Sequence, residues 1–134
     1  MLREWPLSEG SLWWLNQVFN AKTWQDRQID PFYEFRHDWE YVSFDDPDVE
    51  TAFRAFYESV SALTTWTSRR GTLRPQLNPP GTPVEERTFS IGDGDDFPGG
   101  WKEYDRIRAE GGELAFAVFE ARKDLERVGR SRRL

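Results

Sequence analysis

The stretch WKEYDRIRAEGGELAFAVFEARKDLERVG, residues 101–129, decides the fold. Taken in order, Tyr104, Ile107, Gly111, Leu114, Val118, Ala121, Leu125 and Val128 are separated by alternating steps of three and four. A helix keeps side chains with that spacing on one side, whereas a strand alternates every second residue. Phe116 and Phe119 lie beside the stripe. They make the apolar face too wide for a two-stranded seam and suited to packing against several partners. Gly111 and Gly112 interrupt the pattern, and each glycine costs a helix about 1 kcal/mol relative to alanine. Gly111 nevertheless occupies a stripe position, so the phase survives. One long helix, bent at the pair, is expected here, with a close-packed neighbour opposite Gly111. Two helices meeting at the pair is the alternative.

A second helix is announced upstream by Asp46-Pro47, an N-cap followed by a proline at the first helical position. Asp48 and Glu50 favour the positive end of the helix dipole. Val49, Phe53, Phe56, Val60, Leu63 and Thr67 repeat at helical spacing, and Ala52, Tyr57 and Trp66 broaden their face. Two cations and a glycine, Arg69-Arg70-Gly71, mark the end. Nearer the N-terminus, Ser8 is a candidate N-cap for a helix burying Leu12, Leu15 and Phe19, with Trp14 and Val18 widening that face. This helix ends near Asn20 or continues through Trp24 to Ile29. Pro31 is expected to stop it, because the residue before a proline avoids α geometry. Residues 32–44 keep neither face clean and suggest a short strand or an extended crossing.

Between the two major helices the composition changes. Five of the eight prolines and six of the ten glycines fall within residues 71–100. Phe89 and Ile91 alternate with Thr88 and Ser90, enough for one short strand. The expected architecture is mostly α: one domain over residues 1–134, built as a bundle of three or four helices. A long Pro/Gly-rich loop at about 71–100 would wrap it and carry a small β element.

Composition narrows the function. Cysteine is absent, which removes disulfides and thiolate metal sites. The longest apolar run, Leu12-Trp13-Trp14-Leu15, is too short to span a bilayer, and Arg3, Glu4 and Pro6 come too early for a signal region. A soluble, cytoplasmic protein without membrane association is expected. The first fifty residues carry eleven acids against four bases, and residues 101–134 carry seven against nine, within a net charge of −6. The acidic first half argues against direct nucleic-acid binding. Arg127, Arg130, Arg132 and Arg133 read as cations at a helix C-terminus and a frayed tail.

Candidate chemistry is sparse. Glu34 and His37 have the E-x-x-H spacing of carboxylate-bridged metal bundles, but that site needs two such motifs and the chain has one histidine. Asp93-Gly94-Asp95-Asp96 invites a calcium reading that fails on spacing. Counting from Asp93, the sixth loop position is Pro98 and the twelfth Tyr104, where glycine and glutamate are required. No nucleophile elbow or phosphate-cradling glycine loop is present, and no cofactor is expected. Trp13 and Trp14 point about 100° apart on a helix, so both can hardly face one core. One of them, together with Trp101 and the acids Asp93, Asp95 and Asp96, is a candidate partner-binding group. Asp45, Asp46, Asp48 and Glu50 are further acidic candidates, with helix capping as the simpler role.

These features lead to a non-catalytic, intracellular protein-binding module of inhibitor, immunity, antitoxin or accessory type, its acidic surface facing a basic protein. The alternatives are a metal-dependent helical enzyme using Glu34 and His37, or a small-molecule sensor with an aromatic pocket between helices. Either a monomer or a homodimer is compatible with the final stripe.

Overall fold

In a computed structural model, which describes residues 7–132, four helices pack around one core and carry a small antiparallel sheet. Helix α1 spans Glu9–Gln17, β1 Thr23–Gln25, α2 Asp26–Asp38 and α3 Pro47–Arg70. Strands β2, Thr72–Leu73, and β3, Thr88–Ser90, precede α4, Gly100–Ser131. The strand order is β1-β3-β2, with Trp24 opposite Phe89 and Leu73 on the other side of Phe89.

The two major helices form as their sequence signals require. The Asp46 carboxylate accepts the backbone N–H groups of Asp48 at 2.9 Å and Val49 at 3.2 Å, satisfying two donors the helix start leaves open. Val49, Phe53, Phe56, Val60 and Leu63 are fully buried in the core, where Phe53 and Phe56 also meet Phe35 of α2. Helix α4 is continuous through Gly111 and Gly112, as its unbroken phase implies. The buried seam is Tyr104, Ile107, Gly111, Ala115, Val118, Arg122, Leu125 and Gly129. It therefore follows the 3.6 period of a straight helix and drifts off the heptad after Gly111. Leu114, Ala121 and Val128 flank it half-buried, and Phe116 is exposed.

Helix α2 departs from expectation, because Pro31 lies inside it. The proline removes one backbone hydrogen bond and costs roughly 3 kcal/mol in a helix interior. Ile29, Phe32 and Phe35 recur one turn apart and are almost wholly buried. Each such burial is worth about 1.5–3 kcal/mol, so tertiary packing outweighs the break. Residues 32–38 are accordingly helical, and not the strand or extended crossing that their pattern suggested. The Tyr33 hydroxyl ties this helix to α3, donating to the Thr64 carbonyl at 3.0 Å beside the hydroxyls of Thr67 and Ser68.

Residues 71–99 are also more ordered than a loop. They contribute two strands of the sheet, two 3-10 turns and the Asn78 side chain, which brackets Thr88 like an extra strand. The amide of Asn78 accepts from the Thr88 N–H at 2.7 Å and donates to its carbonyl at 2.9 Å. Of the N-terminal expectations, Ser8 caps α1, and Leu12 and Leu15 are buried, but Val18 is exposed. Arg132 turns back to pair with Asp46 and Asp48, while Arg133 lies outside the described residues. No described helix is long and apolar enough to cross a membrane.

The adjacent glycines of α4 have opposite environments, and this is measurable. A Cβ on Gly111 would lie 2.5 Å from the Trp66 ring and 2.8 Å from the Ala21 methyl, whereas one on Gly112 would meet nothing within 4 Å. Gly111→Ala gains about 1 kcal/mol of helix propensity but incurs 1–3 kcal/mol of overpacking, for a net loss of about 1 kcal/mol. Gly112→Ala should instead stabilise the chain by up to about 1 kcal/mol. Urea unfolding of the two variants at low protein concentration checks both signs.

Candidate binding surface

The acidic turn ahead of α4 is shaped by its glycines. Strand β3 ends at Ser90, whose hydroxyl accepts the Gly92 N–H at 3.0 Å. Gly92 takes φ +124°, a conformation open to glycine and strained for other residues. Gly94 lies directly beneath the Trp101 ring, too close for any Cβ. The indole Nε1–H of Trp101 then donates to Asp95 Oδ1 at 3.1 Å. Beneath, Tyr104 meets Trp101 and Phe97 edge-on at centroid distances of 5.4 Å and 5.5 Å. Trp101 is thereby held in one orientation while 56% exposed. Asp93, Asp95 and Asp96 are exposed around it, next to the positive end of the α4 dipole.

Four of the six residues singled out by sequence thus form one patch: Trp101, Asp93, Asp95 and Asp96. The tryptophan pair on α1 divides as its geometry demands. Trp13 is 63% exposed. Trp14 is half-buried, edge-to-face with Phe19 at 5.5 Å and tilted on Phe32. The other acidic candidates serve the fold. Asp46 caps α3, and the Val49 N–H foremost, with Arg132, holds its carboxyl below the usual range. Glu50 accepts the Phe44 N–H at 3.0 Å and pairs with Arg54.

Glu34 and His37 do share a helix, so their spacing brings them one turn apart. Both face solvent, and the His37 ring contacts Asp38 at 3.2 Å. Among the described residues no group of three His, Asp or Glu converges in a way that could hold a metal ion.

Three features were not read from the sequence. An open groove of about 410 Å³ lies between α3 and α4, lined by Ala62, Trp66, Arg69, Arg70, Glu110 and Leu114. Arg122 occupies a core position of α4 at 2% exposure. Its Nε donates to Glu126 at 3.1 Å, its Nη2 donates to the Leu7 carbonyl at 3.2 Å, and its guanidinium lies over the Phe56 ring. Burial, opposed by Glu126 and Glu9, lowers its pKa. The 3.6 spacing from Val118 and Leu125 was the available signal, masked by the expectation of an apolar side chain. The third is an acidic row on α2, Asp26, Asp30 and Glu34 at successive i+4 positions, in which Asp26 pairs with Arg87 at 2.9 Å. It was hidden because Pro31 seemed to forbid the helix.

Compared with family models, curated proteins and solved structures, the chain matches none.

The α2 row makes a pH prediction. Partial burial first, then Asp26 and Glu34, raise the Asp30 pKa, against the pull of Arg87. A folded pKa above the unfolded one means the ionised carboxylate opposes folding, a penalty complete above the folded value and absent below the unfolded one. Asp30→Asn should therefore raise stability at neutral pH. The gain should fade to nothing as pH falls below the ordinary carboxylate range, as followed by urea midpoints across pH 3–7.

Proposed function

We propose that this chain is a non-catalytic, intracellular binding module of inhibitor, immunity, antitoxin or accessory type, whose partner is a protein with a basic surface. The observation that carries the reading is the Trp101 patch. A large aromatic side chain is held by Asp95 and Tyr104 and left more than half exposed, with Asp93 and Asp96 exposed in the same turn as Asp95. A pre-oriented indole supplies contact area with little entropy left to lose, which is the property of an interface anchor. Carboxylates around it raise the association rate with a cationic partner more than they raise final affinity. The reading holds whether the module works as one chain or as a pair.

A second reading, a sensor of small molecules, draws on the groove between α3 and α4. Its volume, about 410 Å³, suits a small ligand. An apolar body would lie on Leu114 and Ala62, and an anionic end would meet Arg69 and Arg70.

The two readings separate by kinetics and fluorescence. For the protein partner recovered by affinity capture from the native cell, the triple change Asp93→Lys, Asp95→Lys and Asp96→Lys should slow association about tenfold or more at low salt. Trp101→Ala should instead speed dissociation, costing about 2 kcal/mol. A partner whose rates ignore both changes sinks the patch. For the sensor, a carboxylate ligand should change tryptophan emission in the parent chain and not in Arg69→Glu, Arg70→Glu. A flat response across a panel of aromatic and aliphatic carboxylates removes that reading.

A further inference from the structure

The exposed ring of Trp101 has two unlike faces. A Cβ built on Gly94 would approach Cζ3, Cη2 and Cε3 of the ring almost equally closely. Near-equal distances to three contiguous carbons put Gly94 over the plane of the ring; beyond its edge, the outer two would be clearly farther. One face is therefore closed by backbone. An indole closed on both faces could not stay 56% exposed, so the other face meets solvent. The ring is not free to turn, because Asp95 accepts its Nε1–H at 3.1 Å and Tyr104 packs edge-on.

Charge decides what settles on that face. An indole face carries the negative side of the ring quadrupole, and tryptophan attracts a cation more strongly than tyrosine or phenylalanine does. The hydrogen bond from Nε1 to a carboxylate polarises the ring further in the same sense. The chain uses this attraction elsewhere: Arg54 lies over Phe53 and Tyr57, Arg122 over Phe56, and Lys123 over Phe119. Among the described residues no cation lies over Trp101. Asp93, Asp95 and Asp96 stand in the turn, and Asp105, also exposed, follows Trp101 one helical turn along α4. Two cations are close by, Lys102 on α4 and Arg74, whose Nη2 lies against Gly92. Glu103 is paired with Arg106. Four carboxylates against two cations leave the neighbourhood acidic.

We propose that the open face of Trp101 is a seat for an arginine side chain of the partner. This seat rests on the reading of Trp101 as the contact surface for a basic protein, and it specifies which chemistry arrives there. Shape favours arginine over lysine. A guanidinium is planar and weakly hydrated, so it lies flat on the indole while its N–H edge reaches a carboxylate of the turn. A lysine ammonium is a compact, strongly hydrated point charge with no plane to stack. Trp101 then acts as a platform that receives a side chain, and not as a knob that fills a pocket of the partner.

Acetylated tri-arginine, tri-lysine and tri-citrulline amides probe the seat, the last having nearly the shape of arginine without its charge. Each is titrated into the full chain at low salt while the Trp101 indole N–H signal, assigned by its loss in Trp101→Phe, is followed by two-dimensional NMR. Tri-arginine should bind about three- to fivefold more tightly than tri-lysine, and tri-citrulline should leave the signal in place. Trp101→Leu keeps an apolar side chain and every carboxylate. It should weaken tri-arginine, read from the backbone amides of residues 93–96, by about threefold or more, with circular dichroism unchanged. Equal affinity for the arginine and lysine peptides, or binding undiminished in Trp101→Leu, overturns the seat. Because the peptides need no partner, the two readings fail separately. A captured basic protein that depends on Trp101, alongside peptides that do not discriminate, removes the seat and keeps the patch. Peptides that discriminate, alongside a captured protein indifferent to Trp101→Ala, keep the seat and remove the patch as that protein's site.

Discussion

The fold depends on the indole of Trp66 lying against the bare backbone of Gly111. No side chain larger than hydrogen fits, since a Cβ would sit 2.5 Å from the ring. Because α3 and α4 are the two longest helices, the distance at this crossing fixes the spacing of the whole bundle. The same point gathers the N-terminal segment. Ala21, held at φ +59°, places its methyl against Gly111, and Phe19 and Trp24 pack on the Trp66 ring at 6.4 Å and 5.6 Å. A left-handed alanine is unfavourable by roughly 1–2 kcal/mol, a strain the surrounding aromatic contacts must exceed. They can do so because each ring buries roughly 150–250 Å².

An indole on a glycine recurs twice more. Trp24 lies against Gly71 at the end of α3, and Trp101 against Gly94 in the acidic turn. The three contacts form a sequence through the molecule. The first sets the helix spacing, and the second aims the chain out of α3 into β2, beside β3. Strand β3 leads into the acidic turn, where the third contact orients Trp101. The exposed indole that carries the proposed function is therefore a rigid extension of the core. A short sheet of two- and three-residue strands would be marginal alone. Here it is held between Trp24 below and the Asn78 brace at its edge.

How much of this was legible follows from where the physics is local. Asp46-Pro47, the cations before Gly71 and the unbroken phase across Gly111 are signals within one helix, and they located α3 and α4 closely. The neighbour demanded by Gly111 was legible too, though its identity as Trp66 was not. Helix α2 was hidden because a local penalty at Pro31 is overcome by burial of Ile29, Phe32 and Phe35, which depends on α3 being in place. Strand β3 was expected from the alternation around Phe89 and Ile91, but its partners were hidden. Strands β1 and β2 are too short to show a period, and β1 and β3 lie more than sixty residues apart, as in the pairing of Trp24 with Phe89. Of the candidate site, the grouping of Trp101 with its aspartates was readable from proximity in the chain. The face of Leu12, Leu15 and Phe19 already took Trp14 as its flank, which leaves Trp13 outside, whereas Val18, placed on the same flank, is exposed.

Charge makes the same distinction between chain and surface. Along the sequence the acids concentrate in the first fifty residues and the bases at the end. Folding cancels much of that asymmetry, because Arg132 returns to Asp46 and Asp48, Arg54 meets Glu50, and Arg87 meets Asp26. Exposed pairs of this kind contribute little stability, about 0–1 kcal/mol each, but they remove field that would otherwise reach solvent. The carboxylates of Asp93, Asp95 and Asp96 have no arginine or lysine paired with them among the described residues; Asp95 takes only the neutral N–H of Trp101. Their charge stays available within a Debye length of about 8 Å in physiological salt. A surface used for steering must hold its charge unpaired where the partner arrives, and in this chain that condition coincides with the best-anchored exposed aromatic ring.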